Sequence, residues 1–422
     1  MDILLKTFET SSVKGTVEAR LRDRIARQGS VTFAEFMEFA LYYAEGGYYT
    51  DPSAFGATGD YFTSPAAHPA FGALLAVQFQ RMWELLGRPI LFQVVEMGGG
   101  TGLLARDVVD YARSLSGSFA RSLRYIALDR YTPQANVLSG CGGAQVIVTS
   151  KIPLKGVVGC FISNELVDSF PVHRFKRDQG TVKEVYVGID ADGDFIEVLG
   201  EPSTPMLVER LGNLDFTLPE GYQGEVNLNI GPWMGEVSAA LARGFVVTID
   251  YGYEAGELYA PDRSGGTLQT HYRHVQGGDP YRRIGKQDIS AHVDFSAIAS
   301  EGRSLGLVPL GLAAQSQFLR GLGFDSMLER LRARNLSQRE RDANVMAILE
   351  LVKPDGLGGF KVLIQERATG AEDLRQLAFT RGVTEELAIP LLRPDHMSLL
   401  EGRYPHLAWS PEELWPFTER RE

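Results

Sequence analysis

The sequence predicts an α/β fold, a doubly wound parallel sheet preceded by helices and interrupted by helical and β insertions. Two observations carry this. Short apolar runs at Phe92–Met97, 123–128, 156–162 and 244–251 alternate with amphipathic stretches, which is the pattern of right-handed strand–helix–strand crossovers. A glycine-rich turn, Gly98-Gly99-Gly100-Thr101-Gly102, follows the first of these runs directly and opens a helix.

The elements follow in order. Residues 16–28 place Val17, Leu21 and Ile25 at four-residue spacing, an amphipathic helix that Gly29 ends. Thr32 with Glu35 forms a capping box for a second helix running to about Tyr43. A Gly-, Pro- and aromatic-rich loop spans 46–72, and its Tyr48, Tyr49, Phe55, Tyr61 and Phe62 favour an ordered segment. Residues 71–86 read as a helix, 92–97 as a buried strand and 103–115 as a helix. A strand at 123–128 ends at Asp129, a helix is expected over 133–138, and strands at 146–148 and 156–162 follow. Residues 183–199 alternate about an Asp192-Gly193 turn, an antiparallel hairpin. After the strand at 244–251 and a polar stretch at 255–289 come a helix at 295–305, helices within 318–351 and a last strand at 359–365. This divides the chain into N-terminal helices and loop (1–70), a sheet domain (71–368) with insertions at about 176–240 and 255–350, and an extension (369–422).

Composition excludes several classes. Apolar residues at 44% and charged residues at 23% are those of a globular chain rather than a disordered one. No apolar run approaches the roughly 18 residues needed to span a bilayer, so membrane insertion is not expected. The net charge of −11 repels phosphate backbones and tolerates a cationic ligand, so nucleic acid is not expected as a partner. Two cysteines, Cys141 and Cys160, and an N-terminus without a secretory pattern point to a reducing, cytoplasmic setting.

Three clusters carry candidate chemistry. Gly98, Gly100 and Gly102 let a ligand approach the backbone and the following helix N-terminus. A dinucleotide fingerprint would need a small residue at Leu103, and no Lys-Ser/Thr element follows to make a P-loop. A plain strand-to-helix turn is the other reading. The second cluster is Asn164-Glu165-Leu166-Val167-Asp168, beyond a strand end where open sheets bind ligands. If a helical turn starts there, Glu165 and Asp168 share a face, and two carboxylates can orient a guanidinium or accept its proton. Helix capping plus a surface acid is the bland alternative. In the third, Asp288 to Phe295, His292 and Asp294 share a direction if the segment is extended; the favoured reading makes Asp294 an N-cap and His292 a hydrogen-bonded structural residue. His271 and His274 have metal-like spacing, but no further ligands complete a site, and no metal is expected.

Glu96, two positions before Gly98, and the alternating glycines resemble the donor loop of class I S-adenosylmethionine methyltransferases, in which an acid ending the second strand, here Asp129, binds the ribose. Longer pieces are more specific: FGATGDYFTSP, ISNELVDSFPVHRF, VVTIDYG, RSGGTLQTHYRH, QDISAHVDF and LGGFKVLIQ, in order between about residues 30 and 365, resemble the MidA-like family of these enzymes. The resemblance implies a Rossmann-like methyltransferase fold. S-adenosyl-L-methionine is the implied cofactor, held by Glu96, Gly98, Gly100, Gly102 and Asp129, with S-adenosylhomocysteine as product. Asn164, Glu165 and Asp168 would form the catalytic, acceptor-facing set. Mitochondrial members methylate an arginine of a respiratory complex I subunit, so a protein arginine is the implied acceptor. A small molecule or peptide as acceptor, and a noncatalytic assembly factor that binds the donor, are the alternatives. The family loop usually reads GPGRG where this chain has GGGTG.

Overall fold

The computed structural model describes residues 16–51, 63–131, 142–273, 275–371 and 388–396. Helix α1 (Val17–Gln28) starts at Thr16, whose side chain accepts the Ala19 N–H, and stops at Gly29, whose φ of 87° suits a residue without a Cβ. Helix α2 (Phe33–Tyr42) carries the expected Thr32–Glu35 capping box. Its apolar face packs with α1 against Val172, Val187 and Ile289 in a core of its own.

The central sheet has seven strands: β1 (Phe92–Met97), β2 (Leu123–Asp129), β3 (Ala144–Val148), β4 (Val157–Asn164), β5 (Leu241–Asp250), β6 (Val308–Ala314) and β7 (Lys361–Arg367). Their spatial order is β6-β7-β5-β4-β1-β2-β3. Strands β1 to β5 pair in parallel, while β7 runs antiparallel to both of its neighbours. The expected parallel sheet therefore holds for its core and is reversed at one strand. Alternate residues feed two cores. On one face Phe92, Val94 and Tyr125 meet α3 (Ala70–Leu85) and α4 (Leu103–Ala112). On the other, Val95, Met97 and Ile126 meet α5 (Ile230–Ala240) and α6 (Phe295–Ser304).

The insertion after β4 is an antiparallel sheet of His173–Asp178, Thr181–Ile189, Phe195–Gly200 and Gln223–Val226, joined by Val31–Thr32 from the N-terminal helices. The hairpin turns at Gly193, with φ 90°, as its sequence anticipates. Strand β6 was not anticipated, because VPLGLAA carries a proline and a glycine and lacks alternation. A short helix at Gly117–Ser122 and strands at Gln269–Tyr272, Val275–Gly277 and Asp288–Ser290 were likewise unforeseen. The helix expected over 133–138 lies outside the described residues, as do Phe55, Tyr61 and Phe62. Among the described residues no helix is long and apolar enough to cross a membrane.

Part of the extension docks on the core. His396 Nε2 lies 2.7 Å from Asp107 Oδ2 and the Tyr111 hydroxyl donates to the Ala388 carbonyl at 2.8 Å, both on α4, while Leu392 N–H reaches Asn344 Oδ1 at 2.8 Å.

Candidate functional site

From β1 the chain moves to β2 and β3 on one side and then to β4 and β5 on the other. The strand order thus reverses between β1 and β4, and a crevice opens at their carboxyl ends. A cavity of about 300 Å³ lies there.

Its floor is the glycine turn. Gly98, Gly100 and Gly102 have φ of 75°, 50° and 79°, the left-handed region that glycine adopts without a Cβ penalty. A Cβ on Gly98 would stand 2.9 Å from Leu166 Cδ1, so the turn also packs against the segment after β4. The Gly98 and Gly99 N–H groups both donate to the Leu128 carbonyl, at 2.9 and 3.1 Å. Asp129 accepts from Gly100 N–H at 2.9 Å through one oxygen and from Tyr131 N–H at 3.1 Å through the other. Burial raises its carboxyl above the ordinary value against those backbone donors.

Of the residues singled out in the sequence, Gly98, Gly100, Asp129 and Glu165 line the cavity. Gly102, Glu96, Asn164 and Asp168 stand behind that surface. Gly102 ends the turn as the cap of α4. Glu96 lies at 4% exposure near the end of β1, and burial pushes its carboxyl up to about 8. Its Oε2 has no partner among the described residues. Glu96 therefore underlies the glycine turn rather than facing the space above it.

The segment after β4 is a turn, not the helical start on which a shared face of Glu165 and Asp168 was premised. Glu165 takes φ 50° and donates its N–H to the Ile249 carbonyl at 2.9 Å. Its Oε1 accepts from Asn164 Nδ2 at 3.0 Å and from Ser64 N–H at 3.3 Å. Burial and the Asp168 charge push Glu165 up to about 8. Asp168 Oδ2 accepts from the Tyr251 hydroxyl at 2.5 Å, and burial raises this carboxyl to about 6. Asn164 Oδ1 and Asp168 Oδ1 are buried without a partner among the described residues.

Several lining residues escaped the sequence reading. Tyr42 and Glu38 come from α2, and Pro232, Trp233 and Glu236 from α5. Trp233 packs edge-on to Phe170 with centroids 5.8 Å apart. Arg130 lies 4.7 Å over the Tyr42 ring and 3.6 Å from Glu38. No local spacing announces such residues, because α2 and α5 reach the site only through the tertiary fold. Tyr49, from the expected aromatic loop, does line the cavity and donates to Asp288 Oδ1 at 2.8 Å.

The third cluster is structural. Asp294 caps α6 by accepting the Ala297 N–H at 2.9 Å. His292 lies 3.1 Å from Gln269 between Tyr251 and Tyr253, and burial pushes it down to about 4, so it is neutral at pH 7. His274 lies outside the described residues. Among the described residues no group of three or more His, Cys, Asp or Glu side chains is gathered as metal ligands.

An open α/β sheet with a glycine turn at its switch point and an acid closing the neighbouring strand is a Rossmann-like site for an adenosine-containing cofactor. Residues 74–313 match a family of S-adenosyl-L-methionine-dependent methyltransferases, more than half of the chain. The chain belongs to this MidA-like family. It is similar to a crystal structure of a superfamily member from Burkholderia thailandensis bound to S-adenosyl-homocysteine. That likeness has TM-score 0.76 and 30% identity, covering 88% of this chain and 98% of the other. It is also 27% identical over 383 residues to the human protein arginine methyltransferase NDUFAF7, mitochondrial, covering 82% and 83% of the two chains. The Drosophila melanogaster homologue is 26% identical over 364 residues, covering 79% and 80%. The protein is an S-adenosyl-L-methionine-dependent methyltransferase.

Proposed function

We propose that this enzyme methylates the guanidinium of a protein arginine. The observation that carries the reading is the set of acceptor atoms beside the cavity. Asn164 Oδ1 and Asp168 Oδ1 are buried and unpartnered among the described residues, next to the Glu165 carboxylate. Buried acceptors without donors cost about 1–3 kcal/mol each, and a guanidinium brings five N–H donors in a fixed fork. The relatives named as protein arginine methyltransferases support the same acceptor.

On this reading Gly98 and Gly100 hold the donor against the backbone and Asp129 takes its ribose hydroxyls. The fit rests on a turn at which a Cβ on Gly98 would press on Leu166 of the cavity wall and on a carboxylate bonded to the Gly100 N–H. The donor supplies an electrophilic methyl group on a sulfonium. The chain's own residues align the nucleophile and receive its proton. Glu165, which lines the cavity, meets the guanidinium, and Asn164 and Asp168 set that carboxyl from behind. Glu165, held protonated by burial and the Asp168 charge, ionises as the cation enters and then accepts the proton released when nitrogen gains the methyl group.

The test is transfer of labelled methyl from S-adenosylmethionine into a host lysate, followed by acid hydrolysis and amino-acid analysis. Label in methylarginine is the expected result. Label in another residue, or only in small molecules, would overturn the proposal.

A further inference from the structure

We infer that Asp250 and Tyr251, consecutive residues at the carboxyl end of β5, are positioning residues for the acceptor side of the site. Asp250 shapes the backbone of the 165–169 turn, and Tyr251 sets the Asp168 carboxylate. The inference rests on the reading above, that this turn faces the acceptor.

Successive side chains of a strand leave on opposite sides, so two neighbours can serve two tasks. Asp250 is fully buried and does not line the cavity. Its Oδ2 receives three consecutive backbone N–H groups, those of Leu166 at 3.2 Å, Val167 at 3.0 Å and Asp168 at 3.4 Å. Its Oδ1 accepts the Tyr251 N–H at 2.9 Å. Three adjacent N–H groups converge on one carboxyl oxygen from the neighbouring strand; burial and the Asp168 and Glu165 charges push this carboxyl well above its usual range, and the backbone donors act against that shift.

The consequence falls on Glu165, immediately before those three residues. Its φ of 50° is a left-handed conformation that a residue with a Cβ rarely adopts. Such a residue persists only where its surroundings over-determine it. The Ile249 carbonyl holds the Glu165 N–H on one side of the bend and Asp250 holds the next three N–H groups on the other. Without Asp250 the bend relaxes and the Glu165 carboxylate leaves the cavity wall.

Tyr251 acts on the second carboxylate. Its ring is wedged between His292, at 5.4 Å, and Phe360, at 5.5 Å. Its hydroxyl occupies Asp168 Oδ2 and so fixes the carboxyl that stands behind Glu165, with Oδ1 unpartnered among the described residues. Neither residue hydrogen-bonds to the glycine turn, whose N–H groups bond to Leu128 and Asp129. The link from Asp250 to that turn runs only through the backbone of Leu166, whose side chain lies against Gly98. Loss of either should therefore spare donor binding.

The experiment compares full-length wild type with Asp250→Ala, Asp250→Asn and Tyr251→Phe in three measurements. These are S-adenosylhomocysteine affinity by calorimetry, the rate of labelled methyl transfer into host lysate protein, and hydrogen exchange in peptides spanning 165–169 and 98–102. All variants should bind S-adenosylhomocysteine within about threefold of wild type. Asp250→Ala should lose about 100-fold in kcat with the KM for S-adenosylmethionine unchanged, the cost of a misplacement near 1 Å. It should also speed exchange at 165–169 and not at 98–102. Asp250→Asn, which keeps an acceptor oxygen, should recover most of both losses. Tyr251→Phe should leave exchange unchanged and lower kcat about tenfold. Wild-type kcat in Asp250→Ala, equal exchange at 165–169, or a parallel loss of donor affinity would overturn the inference. Label in a residue other than arginine would sink only the acceptor reading, because the variant ratios still decide positioning. Were wild type to transfer nothing, exchange at 165–169 decides it.

Discussion

Glu96 should make the ligand-free enzyme less stable as pH rises, and replacing it with glutamine should reverse the sign of its contribution between pH 5 and pH 8. The carboxyl is 4% exposed and raised from 4.5 to about 8, chiefly by burial. An acid whose folded value lies above its unfolded value contributes stability that is complete below pH 4.5 and is lost as pH rises through 8. At pH 7 the unfolded chain has gained about 2.5 pH units of ionisation that the native state has not, a penalty of about 3 kcal/mol. Glu96→Gln removes that penalty but places an amide where Oε2 already lacks a partner, a cost of about 1–2 kcal/mol. The variant should be more stable than wild type by about 2–3 kcal/mol at pH 8, where the penalty reaches about 4 kcal/mol, and less stable by up to about 1 kcal/mol at pH 5. Urea unfolding followed by fluorescence of the four tryptophans reads both. A variant less stable by the same amount at both pH values would mean that native Glu96 is ionised, and the argument from burial would fail.

Three further outcomes follow from the same structure. Gly159 has φ 155°, and a Cβ there would stand 1.9 Å from the Gln93 carbonyl oxygen across β1 and β4, so Gly159→Ala should cost more than about 3 kcal/mol in thermal unfolding; a wild-type melting temperature would refute the register. Asp107→Ala removes the buried partner of His396 and should cost about 1–3 kcal/mol and make the 388–396 segment sensitive to limited proteolysis; unchanged digestion would show that this segment is held by other contacts. Because burial keeps Glu165 protonated near neutrality, binding of an arginine peptide to enzyme saturated with S-adenosylhomocysteine should release a proton at pH 7. Calorimetric enthalpies should then differ between phosphate and Tris, and equal enthalpies would contradict the proposed proton path.

The parts of the fold written in local pattern were legible in the sequence. The capping box at Thr32, the strand Phe92–Met97 and the hairpin turn at Gly193 each depend on a few adjacent residues. Strand β6 was not legible, because VPLGLAA is held as a strand by β7 rather than by its own propensity. The site divides the same way. Gly98, Gly100, Asp129 and Glu165 sit at strand ends, where the topology exposes them. Asp250 looked like the end of an apolar run, and its three backbone partners lie about 80 residues away. The same distance in sequence hid Tyr42 and Trp233.

The central claim is that the donor occupies the crevice between the glycine turn and Asp129. Calorimetric titration of the wild-type chain with S-adenosylhomocysteine, beside Gly98→Val and Asp129→Ala, tests it most directly. Wild type should bind with micromolar affinity, which the Gly98 valine, whose branch would enter Leu166, should abolish and Asp129→Ala should weaken by about 1.5–3 kcal/mol through loss of charge-assisted hydrogen bonds. Equal affinity in all three proteins would place the donor elsewhere and contradict it.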